Sequence, residues 1–110
     1  MTDQLMKAFV SKADGKFVRV KLLDSSYEDE LSNLGFSYDG DINEHVIQVD
    51  DNVAKAAIFE KLRDFDVSFS DGKEWCPSEV FEYLREIGLI SGPFYRVSWR
   101  GPGDYHLTIE

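Results

Sequence analysis

Residues 24–51 carry a dense run of side chains that can bind cations or exchange protons. The stretch DSSYEDELSNLGFSYDGDINEHVIQVDD contains nine carboxylates and no lysine or arginine. Its nine acids equal the net charge of -9 of the whole 110-residue chain. Such a run can hold a metal, exchange protons in catalysis, or present a negative surface to a partner. The acids are Asp24, Glu28, Asp29, Glu30, Asp39, Asp41, Glu44, Asp50 and Asp51.

Metal binding is the first of these roles to consider. Asp39, Asp41 and Asn43 match the first three ligand positions of a calcium-binding EF-hand loop. The sixth position of that loop requires glycine for its sharp turn, and here it is Glu44. The twelfth position is Asp50, which is shorter than the usual bidentate glutamate. No cluster of cysteine and histidine suits zinc. We therefore expect a polar turn without a metal or another cofactor.

Catalysis is the second role. His45 and His106 fall on different predicted strands, where we expect both to face solvent, and Cys76 is expected to be an ordinary half-buried thiol. The chain has neither a G-x-x-x-x-G-K-[ST] nor a G-x-G-x-x-G phosphate-binding motif. Catalytic carboxylates need burial or a charged neighbour to shift their pKa values, and strings of surface acids rarely provide either. The sequence predicts a protein that is not an enzyme and has no catalytic residues.

Two hairpins are predicted at the ends of the chain. Over residues 6–23, Val18, Val20 and Leu22 alternate with basic residues, which is the period of a half-buried strand. Residues 13–15 (Ala-Asp-Gly) supply the turn of this first hairpin. Residues 95–100 and 105–110 also alternate, and Gly-Pro-Gly-Asp at 101–104 joins them.

A short helix is predicted to follow the first hairpin. Ser25 and Glu28 have the spacing of a capping box, which favours the start of a helix. Gly35 is placed to end this helix. Its core face is expected to comprise Tyr27, Leu31 and Leu34.

The middle of the chain then reads as short strands and two longer helices. Strands are predicted over 36–38, 44–49 and 66–70, and helices over 53–64 and 77–88, the second with a proline at its first turn. The core stripe expected for the first of these helices is Val53, Ala57, Ile58, Leu62 and Phe65. The stripe expected for the second is Val80, Phe81, Leu84 and Ile87. The whole chain is thus predicted to be one α+β domain over residues 1–110, with about three helices on a mainly antiparallel sheet.

The C-terminal quarter, YLREIGLISGPFYRVSWRGPGDYHLTIE, ends a helix and continues into a hairpin. It is similar to the last helix and wing of winged-helix domains. That resemblance implies a nucleic-acid binder with Arg96, Arg100 and His106 on the wing, helped by the basic N-terminal hairpin. The helix itself has Glu79, Glu82 and Glu86 against a single arginine, a charge that the DNA major groove would repel.

The composition of the chain indicates the cellular compartment in which we expect the protein. One cysteine excludes an internal disulfide, which favours a reducing environment. No secretory leader and no apolar run of about 18 residues is visible. We expect a cytoplasmic protein without a membrane partner; the oligomeric state is left open.

The acidic stretch leads to the preferred functional hypothesis. One interpretation is a solvated face that only improves solubility. Against it, the acids lie among residues with helix and strand periods, and no base is interleaved to relieve their repulsion. We therefore predict a non-enzymatic protein whose nine acids engage a basic partner protein. In its sharper form the partner is a nuclease or another nucleic-acid-binding protein, and the chain acts as an inhibitor or immunity protein that mimics the charge of DNA. The alternative is the winged-helix-like nucleic-acid binder.

Overall fold

A computed structural model describes residues 8–13, 15–23, 27–65, 67–72, 75–101 and 104–110 of the chain. Within them the chain forms three helices and seven strands, as the α+β prediction requires. In chain order these are β1 (Ala8–Lys12), β2 (Phe17–Leu22), α1 (Glu28–Leu34), β3 (Ser37–Asp39), β4 (Glu44–Gln48), α2 (Asn52–Asp64), β5 (Ser68–Ser70), α3 (Pro77–Glu86), β6 (Tyr95–Gly101) and β7 (Asp104–Ile109).

All seven strands form one sheet in the order β3-β4-β2-β1-β5-β6-β7. Neighbouring strands run antiparallel except at β5, which pairs in parallel with both β1 and β6. The prediction of a mainly antiparallel sheet is confirmed. Strand β5 is the link that joins the two hairpins, because β1–β2 lies on one side of it and β6–β7 on the other.

Both predicted hairpins are present. In the first, Val10 is the register partner of Val20, and Gly15 takes a φ of 63° in the turn. In the second, Val97 pairs with Leu107. Asp14, Pro102 and Gly103, which belong to the two predicted turns, lie outside the described residues.

Helix α1 begins at Glu28, and Gly35 ends it with a φ of 106°, a conformation that glycine adopts without strain. Leu31 is buried, and Tyr27 and Leu34 pack against the same core, so the predicted core face is confirmed. Ser25 lies outside the described residues, so the capping box is not tested. The residue before the helix is Tyr27, whose side chain forms no capping hydrogen bond.

The stripe predicted for α2 is wrong at two of its positions. Val53 is 62% exposed and Ala57 is also exposed, whereas the buried residues of the helix are Lys55, Ala56, Phe59 and Leu62. Phe59 sets which side of α2 faces the core. The Phe59 ring packs on both Phe69 and Phe81, with ring centroids 5.0 and 5.2 Å away. Turning the helix to bury Val53 would remove a much larger apolar side chain from the core.

The stripe predicted for α3 is wrong at its last position. Phe81 and Leu84 are buried and Val80 packs on the core, but Ile87 is 45% exposed. The helix ends at Glu86, two residues before the predicted end, and Gly88 follows with a φ of 75°. Ile87 is therefore the C-cap residue and no longer continues the buried stripe.

The two faces of the sheet differ. The main core contains buried apolar residues from all three helices together with Val10, Val20 and Phe69. Side chains alternate along a strand, so Phe9 points to the opposite face, where it forms a second cluster with Val97. All the described helices therefore cover one face. Across the described residues, no helix has the length and apolar character that crossing a bilayer requires.

Candidate functional site

Six of the nine predicted site acids lie at one end of the sheet, here called the acidic end. Strands β2 and β3 both run antiparallel to β4, so they finish where β4 begins. Helix α1 follows β2 and therefore also begins at this end. The acidic end is defined by Glu28, Asp29, Glu30, Asp39, Asp41 and Glu44.

The β3–β4 hairpin holds three of these acids. Asp39 and Glu44 are register partners, which places their Cα atoms roughly 4.5–5.5 Å apart. The backbone N–H of Asp41 donates to Asp39 Oδ1 at 3.0 Å, so Asp39 also shapes the turn. Asn43 completes the turn with a φ of 56°, a conformation that asparagine tolerates well. The local sequence therefore fixes these acids on a folded tip, with Asp39 and Asp41 exposed and Glu44 half-buried.

The first turn of α1 supplies the other three acids. Glu28 and Asp29 are exposed, and their charge is favourable near the positive end of a helix. One carboxylate oxygen of Glu30, Oε2, is buried and accepts no hydrogen bond from a described residue. Glu30 also lies in the first turn of α1, where its charge is favourable, but a buried carboxylate oxygen without a donor is unfavourable.

The remaining acids are elsewhere. Asp50 and Asp51 follow β4 at its other end, about 20 Å from Glu44 along an extended chain. Asp50 Oδ1 accepts from Gln48 Nε2 at 3.2 Å, and Asp51 Oδ1 caps α2 by accepting from the Ala54 N–H at 2.8 Å. Asp24 lies outside the described residues. The structure thus brings together six of the nine predicted acids and places two at the start of α2.

Replacing Asp51 by alanine tests its structural role. We expect the free energy of unfolding to fall by about 1 kcal/mol, because the Ala54 N–H loses the side chain that caps it. Asp51→Ser should retain most of the stability, since serine is also a good N-cap residue. Urea denaturation followed by circular dichroism measures both variants. Equal losses in the two variants would show that capping is not what Asp51 contributes.

None of the described acids in residues 24–51 forms an ion pair with a described residue. The ion pairs of the described chain join Arg96 to Asp71 at 2.6 Å and to Glu110 at 3.0 Å. Lys21 lies near the end of β2, on the strand beside β4, and forms no ion pair with the acidic end. The carboxylates of the acidic end are therefore not neutralised within the described part of the molecule.

Arg96, on which the winged-helix resemblance depends, is held by two carboxylates. Its Nε and Nη2 donate to the two oxygens of Asp71, and its Nη1 donates to Glu110. Asp71 first and then Glu110 raise the pKa of Arg96 further above its ordinary value. A hydrogen bond from Ser78 and the pairing with Arg96 lower the pKa of Glu110. The hairpin that resembles a wing is also part of the sheet, since β6 pairs with both β5 and β7.

The candidate catalytic side chains are far apart. Four strands lie between β4, which holds His45, and β7, which holds His106, a separation of about 24 Å. Cys76 is half-buried at the start of α3, as expected. The described residues contain no group of three or more His, Cys, Asp or Glu side chains that could hold a metal ion.

His45 is buried, which corrects the expectation that both histidines face solvent. Its register partners are Val20 on β2 and Tyr38 on β3, so its ring lies on the face of the sheet that the helices cover. It is only 6% exposed, and its Nδ1 has no hydrogen-bond partner among the described residues. Strand β4 is short and its pattern of exposed and buried residues is irregular, which hid this position from sequence reasoning.

Tyr38 lines two depressions, one at the acidic end and one that extends along β4 to Phe17 and Gln48. It is 57% exposed, its ring centroid lies 5.2 Å from that of His45, and its hydroxyl donates to Asn43 Oδ1. One depression, of about 500 Å³, is lined by Leu22, Leu23, Glu28, Tyr38, Asn43 and His45. The other, of about 430 Å³, is lined by Phe17, Ser37, Tyr38, Asp39, Gly40, Asp41, Val46 and Gln48. Tyrosine is among the residue types that are enriched at the hot spots of protein interfaces.

Comparisons of this chain with protein-family models, with curated proteins and with solved structures find no match.

Proposed function

We propose that this protein is a non-enzymatic binding protein whose acidic end engages a basic partner protein. The observation that carries the proposal is the grouping of six carboxylates from α1 and the β3–β4 hairpin, none of them paired with a described base. Like charges held close together repel, so the unbound surface is electrostatically unfavourable. A cationic surface would relieve that repulsion and speed the encounter.

The sharper form of the proposal is inhibition of a nucleic-acid-binding enzyme. Duplex DNA carries one charge per roughly 1.7 Å of its axis, so six carboxylates correspond to about 10 Å of duplex. A partner that binds DNA in a positively charged groove would accept such a surface in place of phosphates. Asp50 and Asp51, at the other end of β4, are not needed for this contact. The single cysteine favours a reducing compartment such as the cytosol as the place of this encounter.

Affinity capture with a salt gradient tests the proposal. The immobilised chain is incubated with a nucleic-acid-free lysate of the organism that encodes it, at 50 mM NaCl. We expect it to retain a basic nucleic-acid-binding protein, identified by mass spectrometry, that elutes steeply between about 50 and 200 mM salt. A retained protein with an acidic surface, or elution that does not depend on salt, would contradict recognition by charge.

A gel-shift assay with the chain alone separates this proposal from the winged-helix alternative. We expect no change in the mobility of duplex DNA or RNA, because the net charge is -9 and Arg96 is already paired. A shift that is lost in Arg96→Ala/Arg100→Ala would favour the nucleic-acid binder instead.

A further inference from the structure

The depression beside Tyr38 has the chemistry of a site for one cationic side chain. Glu28 contributes a carboxylate and Tyr38 an exposed aromatic face, while Leu22 and Leu23 add apolar surface. His45 also lines it, and its buried Nδ1 has no hydrogen-bond partner in the part of the chain that the structure describes. The volume of about 500 Å³ exceeds the size of a single long side chain. A surface that attracts its partner by charge alone would need carboxylates, but it would need neither an aromatic ring nor apolar walls.

We propose that this depression, lined by Glu28, Tyr38 and His45, binds an arginine side chain of the basic partner. This inference rests on the proposed function, and the arginine is the side chain that would anchor the partner protein. The aliphatic stem of the arginine would lie on Leu22 and Leu23, as long cationic side chains do on apolar surfaces. Its planar guanidinium would stack on Tyr38 and pair with Glu28.

The site suits arginine better than lysine. A guanidinium offers five N–H donors in a flat fork, which can pair with a carboxylate while it stacks on an aromatic ring. Lysine presents a compact, strongly hydrated charge that gains less from Tyr38. His45 Nδ1 supplies a further polar partner once its ring turns, since χ2 of histidine is a broad torsion. Asn43 Oδ1 is already engaged by the Tyr38 hydroxyl and keeps that ring in place.

Peptides of nine arginines and nine lysines, titrated at 50 mM NaCl by fluorescence anisotropy, test this site. They carry the same charge, so any difference in Kd reports something other than net attraction. We expect the arginine peptide to bind about fivefold tighter than the lysine peptide. Tyr38→Leu should bring the two Kd values within twofold while leaving binding of the lysine peptide nearly unchanged. Glu28→Gln should weaken binding of both peptides, and of the arginine peptide more.

The matched controls are Tyr83→Leu and Glu79→Gln, which make the same changes on the exposed surface of α3. Both should keep the fivefold preference for arginine. Equal binding of the two peptides by the unmodified chain, or a preference that survives Tyr38→Leu, would overturn the arginine site and leave the charge-led function standing. Failure of both peptides to bind at 50 mM salt would overturn the site and the proposed function together.

Chemical shifts supply an independent measurement on the same chain. Titration with Nα-acetyl-arginine amide at millimolar concentration should move the amide signals of Glu28, Tyr38 and His45 in a nitrogen–proton correlation spectrum. The lysine analogue should move them less. Shifts confined to α3 or to the start of α2 would place arginine elsewhere and overturn the assignment.

Discussion

Phe69→Ala is expected to lower the free energy of unfolding by about 3–5 kcal/mol, which approaches the whole stability of a small domain. Phe69 is fully buried in β5, the strand that joins the two hairpins. Its ring packs against Phe59, Phe81 and Phe94, with centroids 5.0, 4.9 and 5.8 Å away. Truncation removes these contacts and leaves a cavity that neighbouring aromatic rings cannot fill without leaving their own positions.

Phe17→Ala is the matched control for that prediction. It removes the same atoms from β2, where the side chain is exposed, so we expect a loss of no more than about 0.5 kcal/mol. Urea denaturation compares the midpoints of the two variants at an unchanged m value. If both variants lost similar stability, β5 would not be the centre of the aromatic core.

The second large effect is on binding. Neutralising four acids of the acidic end together, in Glu28→Gln/Asp39→Asn/Asp41→Asn/Glu44→Gln, is expected to weaken binding of the captured partner about 100-fold at 50 mM salt. Each exposed charge pair contributes up to about 1 kcal/mol, and roughly 0.7 kcal/mol from each of four pairs corresponds to two orders of magnitude. Surface plasmon resonance should show most of the loss in the association rate at low salt and a smaller difference at high salt.

A variant with altered α3 controls for net charge. Glu79→Gln/Glu82→Gln/Glu86→Gln removes three negative charges from a helix outside the acidic end. We expect its affinity to stay within about threefold of the unmodified chain, because distant exposed charges are screened. Equal losses in both variants would mean that overall charge, and no particular surface, governs binding. Circular dichroism confirms that both remain folded.

Most of the secondary structure could be predicted, because strand alternation and the signals that end a helix depend only on residues close together in sequence. The alternation of Val18 and Val20 with basic residues identified β2, and Gly35 marked the end of α1. Strand order could not be predicted, since the parallel pairing of β5 with β1 and β6 depends on contacts far apart in sequence. The spacing of strands and helices along the chain does not show which strands will be neighbours in the sheet.

The burial of polar side chains could not be predicted from the sequence. Lys55 lies outside the stripe predicted for α2, but it is buried and its Nζ donates to the Ala13 carbonyl at 2.8 Å. His45 was expected to face solvent, but its position on β4 directs its ring under the helices. A polar side chain is buried when the fold supplies space or a partner, and neither is visible in one sequence.

The sequence identified the acidic residues, but it did not show which of them lie together in the fold. The charge count of residues 24–51 identified the segment, but it could not show that β4 would carry Asp50 and Asp51 to the opposite end of the sheet. The depression beside Tyr38 was also beyond sequence reasoning. It forms because α1, β2 and the β3–β4 hairpin meet at one place, and three separate stretches of chain contribute to its wall.

The two tryptophans of the chain meet at one residue of β5. Trp75 Nε1 donates to the Ser70 carbonyl at 2.6 Å, and Trp99 Nε1 donates to the Ser70 hydroxyl at 2.8 Å. Trp75 belongs to the helix-covered core, whereas Trp99 packs on Phe9 at the opposite face. The molecule therefore carries one tryptophan for each face of its sheet, and tryptophan emission can be excited selectively over that of tyrosine. Replacing either indole by phenylalanine would leave an emission signal that reports on the loosening of a single face during unfolding.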